Sequence, residues 1–473
     1  MGESVDPRAA LSDARPEVLW LSGDDRPPAA EPLTSDTTVD LLVVGAGYTG
    51  LWAAIQAKED DPSLDVMVID AGRVGAQASG RNGGFCSSSL THGLDNGVAR
   101  FAGEIERVEA LARANFAAIE SALTTYDIDA EWEATGNLTV AVAPHLVEGL
   151  LDYAGLARRF GHEVEVLDRD GVRAEVASPT YEAGIWQRTG EAMVHPAKLA
   201  WGLADAARSL GVVMHEHTSM SDLTAEGDAM SVATAGSEAG HATIRARSVF
   251  LATNGFRSPV RAINRTIAPV YDYVLATEPL SAAQLDALGW RNRQGVSDST
   301  NLFHYYRLTA DDRIVWGGYD AVYHFGNRID PSLEQHGSTH ETLAKHFFET
   351  FPQLGGVRFS HRWAGVIDTC TRFSVSFGTS FGGRVSYAVG YTGLGVGASR
   401  FGARVGLDLL LHPDSELLEL DLVRSRPFPL PPEPLRWSAI ELTRRAMAKA
   451  DANQGRRGPW LRLLDRLGLG FDS

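Results

Sequence analysis

The stretch Asp40-Leu41-Leu42-Val43-Val44-Gly45-Ala46-Gly47-Tyr48-Thr49-Gly50 decides the fold. Leu41 to Val44 read as a short buried strand, and Gly45, Gly47 and Gly50 place G-x-G-x-x-G directly behind it. A helix-like run from Leu51 to Lys58 follows, then a second apolar strand, Val66 to Ile69, which ends in Asp70. Strand, glycine turn, helix, strand and acid in this order make the β-turn-α-β unit that holds a dinucleotide. Each residue type has a physical task in it. Gly45 permits the tight turn, Gly47 lets a pyrophosphate approach the backbone, and Gly50 lets the helix pack on the strand. The N–H groups that open the helix face the phosphates, and Asp70 is placed to accept hydrogen bonds from a ribose.

Two further glycine-rich segments lie outside this unit. Gly75-Ala76-Gln77-Ala78-Ser79-Gly80-Arg81-Asn82-Gly83-Gly84 follows the second strand closely, as if wrapping the far end of an extended dinucleotide. Val385 to Val389 leads into Gly390-Tyr391-Thr392-Gly393-Leu394-Gly395-Val396-Gly397, a second strand-turn-helix whose helix runs from Ala398 to Leu411. A helix N-terminus there sets its positive dipole end against the carbonyl oxygens of a flavin ring. That favours the negative charge such a ring takes up with a hydride. Three segments, where an NAD enzyme commonly needs only the first, point to FAD.

Composition narrows the rest. The chain has 473 residues, 44% hydrophobic and 22% charged, an ordinary globular balance whose length implies more than one domain. A formal net charge of −17 leaves no basic surplus for phosphate backbones and excludes a general nucleic-acid binder. The two cysteines, Cys86 and Cys370, stand far apart, which fits a reducing compartment and neither a disulfide scaffold nor a cysteine zinc site. No His or carboxylate spacing suggests a metal. The N-terminus lacks a signal pattern and no run is long enough to span a bilayer, so the expectation is a cytoplasmic protein with no membrane span.

Residues 1–37 read as an extension anchored by Val18, Leu19, Trp20 and Leu21. Residues 97–126 carry apolar positions at helical spacing and predict one long amphipathic helix. From 265 to 325 the pattern changes to alternation: Val270-Tyr271-Asp272-Tyr273-Val274, Phe303-His304-Tyr305-Tyr306 and Ile314-Val315-Trp316 belong to an antiparallel sheet with one buried face. The fold expected is α/β. Its FAD-binding Rossmann-type domain, of the glutathione-reductase kind, is assembled from residues 38–100, 190–262 and 360–412. An antiparallel-sheet substrate domain, 101–189 and 263–359, is inserted between these pieces. Residues 413–473 form a helical tail, in which Pro459 to Leu467 is a short basic amphipathic helix that packs on its own protein or on a second copy in a homodimer.

With these motifs the sequence resembles the D-amino-acid oxidase/glycine oxidase superfamily of FAD-dependent amine oxidoreductases. Gly75 to Gly84 resembles its gamma-glutamylputrescine oxidase branch. Trp20 and Gly47-Tyr48-Thr49-Gly50-Leu51-Trp52 resemble the aminophosphonate oxidoreductases as well. The likeness covers roughly residues 18–412 and is carried further by Thr277-Glu278-Pro279-Leu280, Tyr306-Arg307 and Gly317-Gly318. It implies that Gly45, Gly47, Tyr48, Thr49 and Gly50 hold the pyrophosphate and Asp70, with Ala71, the adenosine ribose. Ala78, Ser79, Arg81, Asn82, Gly83 and Gly84 then run beneath the flavin. Thr218, Ser219 and Met220 pass the adenine, and Thr253, Asn254 and Gly255 the phosphate side. Gly365, Val366, Gly393, Leu394, Gly395 and Val396 close over the isoalloxazine. Cys370 lies several residues past the region where some relatives tether the flavin, so FAD is expected to be held non-covalently.

The resemblance implies oxidation of a primary or secondary amine, gamma-glutamylputrescine-like or aminophosphonate-like, by hydride transfer and hydrolysis of the imine. An amino-acid or N-methyl-amino-acid oxidase or dehydrogenase, a flavin monooxygenase and a non-catalytic flavoprotein are the rival readings. The chemistry needs orientation and a dry site rather than an acid–base pair. Tyr273, Tyr306 and Trp316, with Tyr271, Tyr305 and Tyr319, are therefore read as aromatic pocket walls that hold an amine. Arg307 is read as the grip on an anionic substrate tail, and His92 and His304 as candidates for proton transfer. The sarcosine-oxidase branch carries a lysine on the strand that matches Val315-Trp316-Gly317-Gly318-Tyr319; none stands here, so oxygen or another electron acceptor is left open.

Overall fold

The computed structural model describes residues 6–236 and 241–468. The ends of the expected extension and tail, residues 1–5 and 469–473, lie outside them.

The apolar strand Thr37–Val44 is the centre of a parallel layer. It pairs on one side with Val66–Ile69 (Leu41 opposite Val66, Val44 opposite Ile69) and on the other with Thr243–Leu251 (Val44 opposite Leu251). Val213–His215 extends the layer at one end and Val385–Val389 at the other, both parallel. Where both faces are covered, at Leu41–Val44, Val66–Ile69 and Val249–Leu251, the strands are unbroken apolar runs. Tyr48–Asp60, Pro196–Ser209 and Gly395–Leu411 cover one face, where Val43, Val68, Trp52, Leu203 and Leu407 share a core. Leu42, Val44 and Ile69 on the other face pack with Leu223, Met230 and Val232 of the hairpin Ser219–Glu226/Ala229–Ala235, which continues antiparallel from Thr243–Leu251. Trp52 is 1% exposed and sits among these contacts. Truncating such a tryptophan costs about 3–5 kcal/mol.

The second sheet has nine strands. Ile267–Thr277 lies between Phe359–Cys370 on one side and Ile314–Gly318 with Val322–Tyr323 on the other. His304–Leu308, Gly295–Asp298, Asn137–Ala141, Ala183–Gln187 and Val164–Leu167 follow in order. All pairings are antiparallel except Gly295–Asp298 with Asn137–Ala141. The 360–412 segment is divided between the sheets. Its first strand runs along the full length of Ile267–Thr277, and Val385–Val389 and Gly395–Leu411 belong to the parallel layer.

Where one long helix was expected over 97–126, two occur, Leu94–Phe101 and Ile105–Thr125. The break falls at Gly103 and Glu104, and the Glu104 carboxylate accepts the backbone N–H groups of Asp421 (2.8 Å) and Leu422 (2.7 Å), which draws it out of the helical line. The N-terminal arm is tied down along its length. Pro7–Leu11 packs on the helix Gly337–Thr350, and Arg15 N donates to Ser360 O at 2.9 Å. Trp20 is 3% exposed and gives its indole N–H to Asn82 O at 2.8 Å. Buried Glu216 receives the N–H groups of Ala30 and Val74, and Leu33 N donates to Thr218 Oγ1. In the tail, Pro459–Arg466 packs on Leu435–Ala452 through Leu461 and Trp460. Among the described residues no helix is long and apolar enough to cross a membrane.

Candidate active site

At the carboxyl ends of the parallel strands the three glycine segments meet. Gly45 has φ +111°, and a Cβ there would lie 2.4 Å from Ala252 O, so no other residue fits. At Gly50 a Cβ would lie 1.9 Å from Gly45 O; the helix can approach the strand only without one. Gly47 precedes the first helical residue in extended conformation and, as glycine, brings no capping side chain, which leaves the N–H groups after Tyr48 in the opening turn for an anion. Tyr48 and Thr49 turn their side chains inward. Tyr48 Oη donates to Pro196 O at 2.9 Å and its backbone N to Ser79 Oγ at 2.9 Å. Thr49 Oγ1 donates to Tyr391 Oη at 2.8 Å, joining the first glycine turn to the last. Asp70 takes Ala46 N–H on Oδ2 (2.7 Å) and Gly72 N–H on Oδ1 (2.8 Å), beside exposed Ala71. Its burial raises the carboxyl above the ordinary range.

The Ala78–Arg81 turn and the residues after it hold their own shape. Asn82 Nδ2 donates to Ala78 O and Ser79 O, both at 3.0 Å, while its Oδ1 accepts Gly84 N–H at 2.9 Å. Arg81 donates to Ala76 O (2.7 Å) and Ala364 O (3.2 Å) and pairs with Glu334 at 2.6 Å. Trp363 donates its indole N–H to Arg81 O at 2.8 Å. These side chains are engaged within the loop and with Glu334 and Ala364, which leaves the loop's backbone as the surface open to a dinucleotide.

Opposite lie Thr253, Asn254 and Gly255. Asn254 Nδ2 donates to Val366 O at 3.1 Å, and Gly255 packs against Pro269 and Val366. Thr253 Oγ1 is buried without a hydrogen-bond partner among the described residues. In the last turn, Asp368 takes Gly390 N–H at 2.6 Å and Tyr391 N–H at 3.1 Å, with burial pushing its carboxyl up to about 7. The helix Gly395–Leu411 then begins behind Gly393 and Leu394, also without a side-chain cap, with Val396 buried in its first turn. Gly365 lies next to Arg81, 3.5 Å from its Cβ to the glycine's would-be Cβ. Two uncapped helix starts, backbone-lined turns and an orphaned hydroxyl fit a dinucleotide. Ser219 and Met220 are placed in the antiparallel hairpin, where Ser219 Oγ donates to Ala235 O at 2.7 Å and Met220 packs toward Leu223 and Val232.

The second sheet puts its predicted residues on two faces. Tyr273, Tyr306 and Trp316, with Tyr271, belong to the core beneath the helix Gly337–Thr350. Tyr306 stacks on Trp316 at 4.5 Å, Trp316 meets Phe347 edge-on at 5.6 Å, and Tyr273 meets His340 at 5.4 Å. Their hydroxyls are engaged as well, Tyr273 with Leu333 O (2.7 Å) and Tyr306 with Tyr181 (2.6 Å). Four of the six aromatics expected to wall the pocket, Tyr271, Tyr273, Tyr306 and Trp316, therefore face away from the glycine segments. His304 shares that outer face, bound to Asp298 (2.8 Å) and His346 (3.0 Å). Strand alternation puts Arg307 on the inner face, but it grips the loop rather than open space. It is 1% exposed, donates through Nη1 to Val194 O (2.6 Å) and Gly84 O (3.5 Å) and through Nε to Leu308 O (3.1 Å), and burial lowers its pKa to about 10.

Tyr305, one residue before Tyr306, has the place expected of a pocket wall. A Cβ on Gly83 would be 2.4 Å from its ring and one on Gly317 2.5 Å, so two glycines clear the space it fills. Its hydroxyl donates to Asp272, a residue sequence reasoning passed over. The signal was there: Asp272 is the one charged residue in the eleven-residue strand Ile267–Thr277. Cys86 and Cys370 are both buried and unpaired; the Cys370 thiol donates to Ser374 O at 3.3 Å.

Comparison with known proteins agrees with this geometry. Residues 40–409 match the family described as FAD dependent oxidoreductase. The chain is 31% identical over 386 residues to gamma-glutamylputrescine oxidoreductase of Escherichia coli, covering 80% of this chain and 85% of that protein. It is 29% identical over 394 residues to the probable oxidoreductase OrdL of Haemophilus influenzae, covering 82% and 86%. Glycine oxidase from Geobacillus kaustophilus shares the fold with a TM-score of 0.66 at 17% identity, over 82% of this chain and 99% of that one. On the matched length and the glycine turns that line the cradle, the chain belongs to the DAO family and is an FAD-dependent oxidoreductase.

Proposed function

We propose that the protein oxidises a primary or secondary amine to an imine, which water hydrolyses to an aldehyde or keto compound. The observation that carries this reading is the 31% identity to gamma-glutamylputrescine oxidoreductase along 80% of the chain. In the reading, Gly47 to Gly50 and Thr253 hold the pyrophosphate, Asp70 the ribose, and the Ala78–Gly84 and Gly390–Val396 backbones the flavin. When bound, the flavin supplies a two-electron acceptor for hydride. The residues themselves bind and orient. Arg307 pins Gly84 to Val194, Thr49 and Tyr391 lock the two helix starts together, and Asp368 fixes the last turn. Such rigidity shortens the search for a near-attack geometry, and the enclosing second sheet keeps water from the reacting carbon.

The test is an anaerobic absorbance titration with gamma-glutamylputrescine, putrescine, aminoethylphosphonate and its N-methyl form, sarcosine and D-amino acids. Bleaching of the flavin band by an amine is expected, and readmitted air then tells oxidase from dehydrogenase by the speed of recolouring. Bleaching by NADPH, or by none of the panel in a protein that holds FAD, refutes amine oxidation.

A further inference from the structure

The inner face of the second sheet carries an anion with no cation to match. Asp272 lies on the strand Ile267–Thr277 in register with Gly365, which adjoins Arg81 of the flavin loop. Tyr305 donates to it from the strand His304–Leu308, and Tyr305 itself is clamped between Gly83 and Gly317. Neighbours on this face, Val274, Val315 and Trp363, are buried, while Asp272 and Tyr305 keep accessible surface. The pair therefore opens toward the space that the glycine segments enclose. Among the described residues no Lys, Arg or His lies within ion-pair distance of Asp272. The two arginines nearest the loop are committed: Arg307 to backbone carbonyls, Arg81 to Glu334 and Ala364 O.

An unmatched, half-buried carboxylate is unfavourable unless a cation or a proton arrives. An amine substrate brings both in its ammonium group. Conversely, a carboxylate on the reacting carbon finds no open guanidinium here and faces Asp272 instead.

Resting on the amine-oxidation reading above, we propose that Asp272, oriented by Tyr305, binds the substrate ammonium and takes its proton, selecting amines without a carboxylate on the reacting carbon. The transfer balances simply. The N–H bond breaks, the proton goes to a carboxylate oxygen of Asp272, and the electron pair stays on nitrogen as the lone pair that hydride departure requires. Both charges vanish together, which a dry site favours. Burial holds the Asp272 carboxyl at about 6 against the lowering effect of the Tyr305 hydroxyl and the Gly318 N–H, so it is ionised and ready at neutral pH. Tyr305 is a positioning residue whose phenol burial pushes well up, so it stays a donor.

Binding and turnover test this separately. tert-Butylammonium has no hydrogen on the carbon bearing nitrogen and cannot be oxidised; pivalate is its anionic counterpart of similar shape. The FAD-loaded wild type is expected to bind tert-butylammonium, read as a change in the flavin spectrum or by calorimetry, and to reject pivalate. Asp272→Asn is expected to weaken tert-butylammonium at least tenfold and to slow bleaching by putrescine or gamma-glutamylputrescine at least a hundredfold, with FAD content unchanged. Tyr305→Phe is expected to lower the rate with a smaller change in binding. Equal binding by wild type and Asp272→Asn, or preference for pivalate, overturns the assignment. Bleaching by sarcosine or D-alanine in preference to carboxylate-free amines overturns the selectivity while leaving amine oxidation standing. If no amine bleaches the wild type, the broader reading falls, and the tert-butylammonium result still decides whether Asp272 is a cation site.

Discussion

Replacing Arg307 by methionine separates two roles for this residue. A guanidinium that grips a substrate tail would be dispensable for folding; one that pins the flavin loop would not. In the structure its shortest bond is to Val194 O at 2.6 Å, with Leu308 O at 3.1 Å and Gly84 O at 3.5 Å. A hydrogen bond from a charged donor contributes about 1.5–3 kcal/mol, and the long Gly84 contact adds little. Methionine fills the stem's volume and removes the burden of a buried cation that has no ion-pair partner among the described residues, which offsets part of the loss. The net expected is a destabilisation of about 2 kcal/mol.

The damage should fall where Val194 N donates to Gly84 O at 2.8 Å, the bond that closes the loop onto the neighbouring strand. If the full 2 kcal/mol is felt there, FAD affinity drops by about 30-fold. The assay is urea unfolding of the apoprotein beside FAD binding followed by flavin fluorescence, with Arg307→Lys as a second variant. A lysine carries a single point charge and cannot span the carbonyls, so it should recover less than half of the loss. The reasoning is refuted if Arg307→Met unfolds at the wild-type urea concentration and binds FAD normally, while KM rises only for substrates with an acidic tail.

Three further outcomes follow from the same geometry. Thr253→Val should leave apoprotein stability equal or slightly higher, because an unpartnered buried hydroxyl is removed, yet weaken FAD about 2- to 10-fold for one lost hydrogen bond, measured by equilibrium binding. Gly50→Ala should yield a chain that no longer retains FAD through gel filtration, since the new Cβ would start 1.9 Å from Gly45 O; normal retention would contradict the close approach. Glu191, hydrogen-bonded by Ser87 Oγ at 2.8 Å, is pushed up to about 7 by burial. A carboxyl with a folded pKa above its unfolded one holds extra protons in the folded state, so its unfavourable contribution grows as pH rises from about 4.5 to about 7. Glu191→Gln should therefore be more stable than wild type above pH 7, by up to about 3 kcal/mol, and lose the advantage near pH 4, as read by unfolding midpoints across pH.

The parallel layer was legible because its code is local. Gly50 is required by Gly45 O, five residues before it, and Gly45 by its own positive φ of +111°, while Leu41–Val44 and Val66–Ile69 on either side of the helix are unbroken apolar runs. Local reading failed on the second sheet for a physical reason. Alternation tells that Tyr305 and Tyr306 face opposite ways, but hydrophobicity names the inner face only when the other face meets water. Here both faces are covered, one by the helix Gly337–Thr350 and the other by the core shared with the parallel layer, so aromatics occur on each. The deciding facts were the exceptions to apolarity: Asp272 inside a run of buried residues, and Gly317 opposite Tyr305 in the ladder. A similar lesson applies to Arg81 and Asn82. Their motif is recognisable, yet their side chains bond Ala76, Ala78, Ser79, Gly84 and Ala364 rather than open space. What such a motif encodes is the shape of a loop held by its own side chains. Substrate choice is left to residues like Asp272 on the facing sheet, where no motif constrains them.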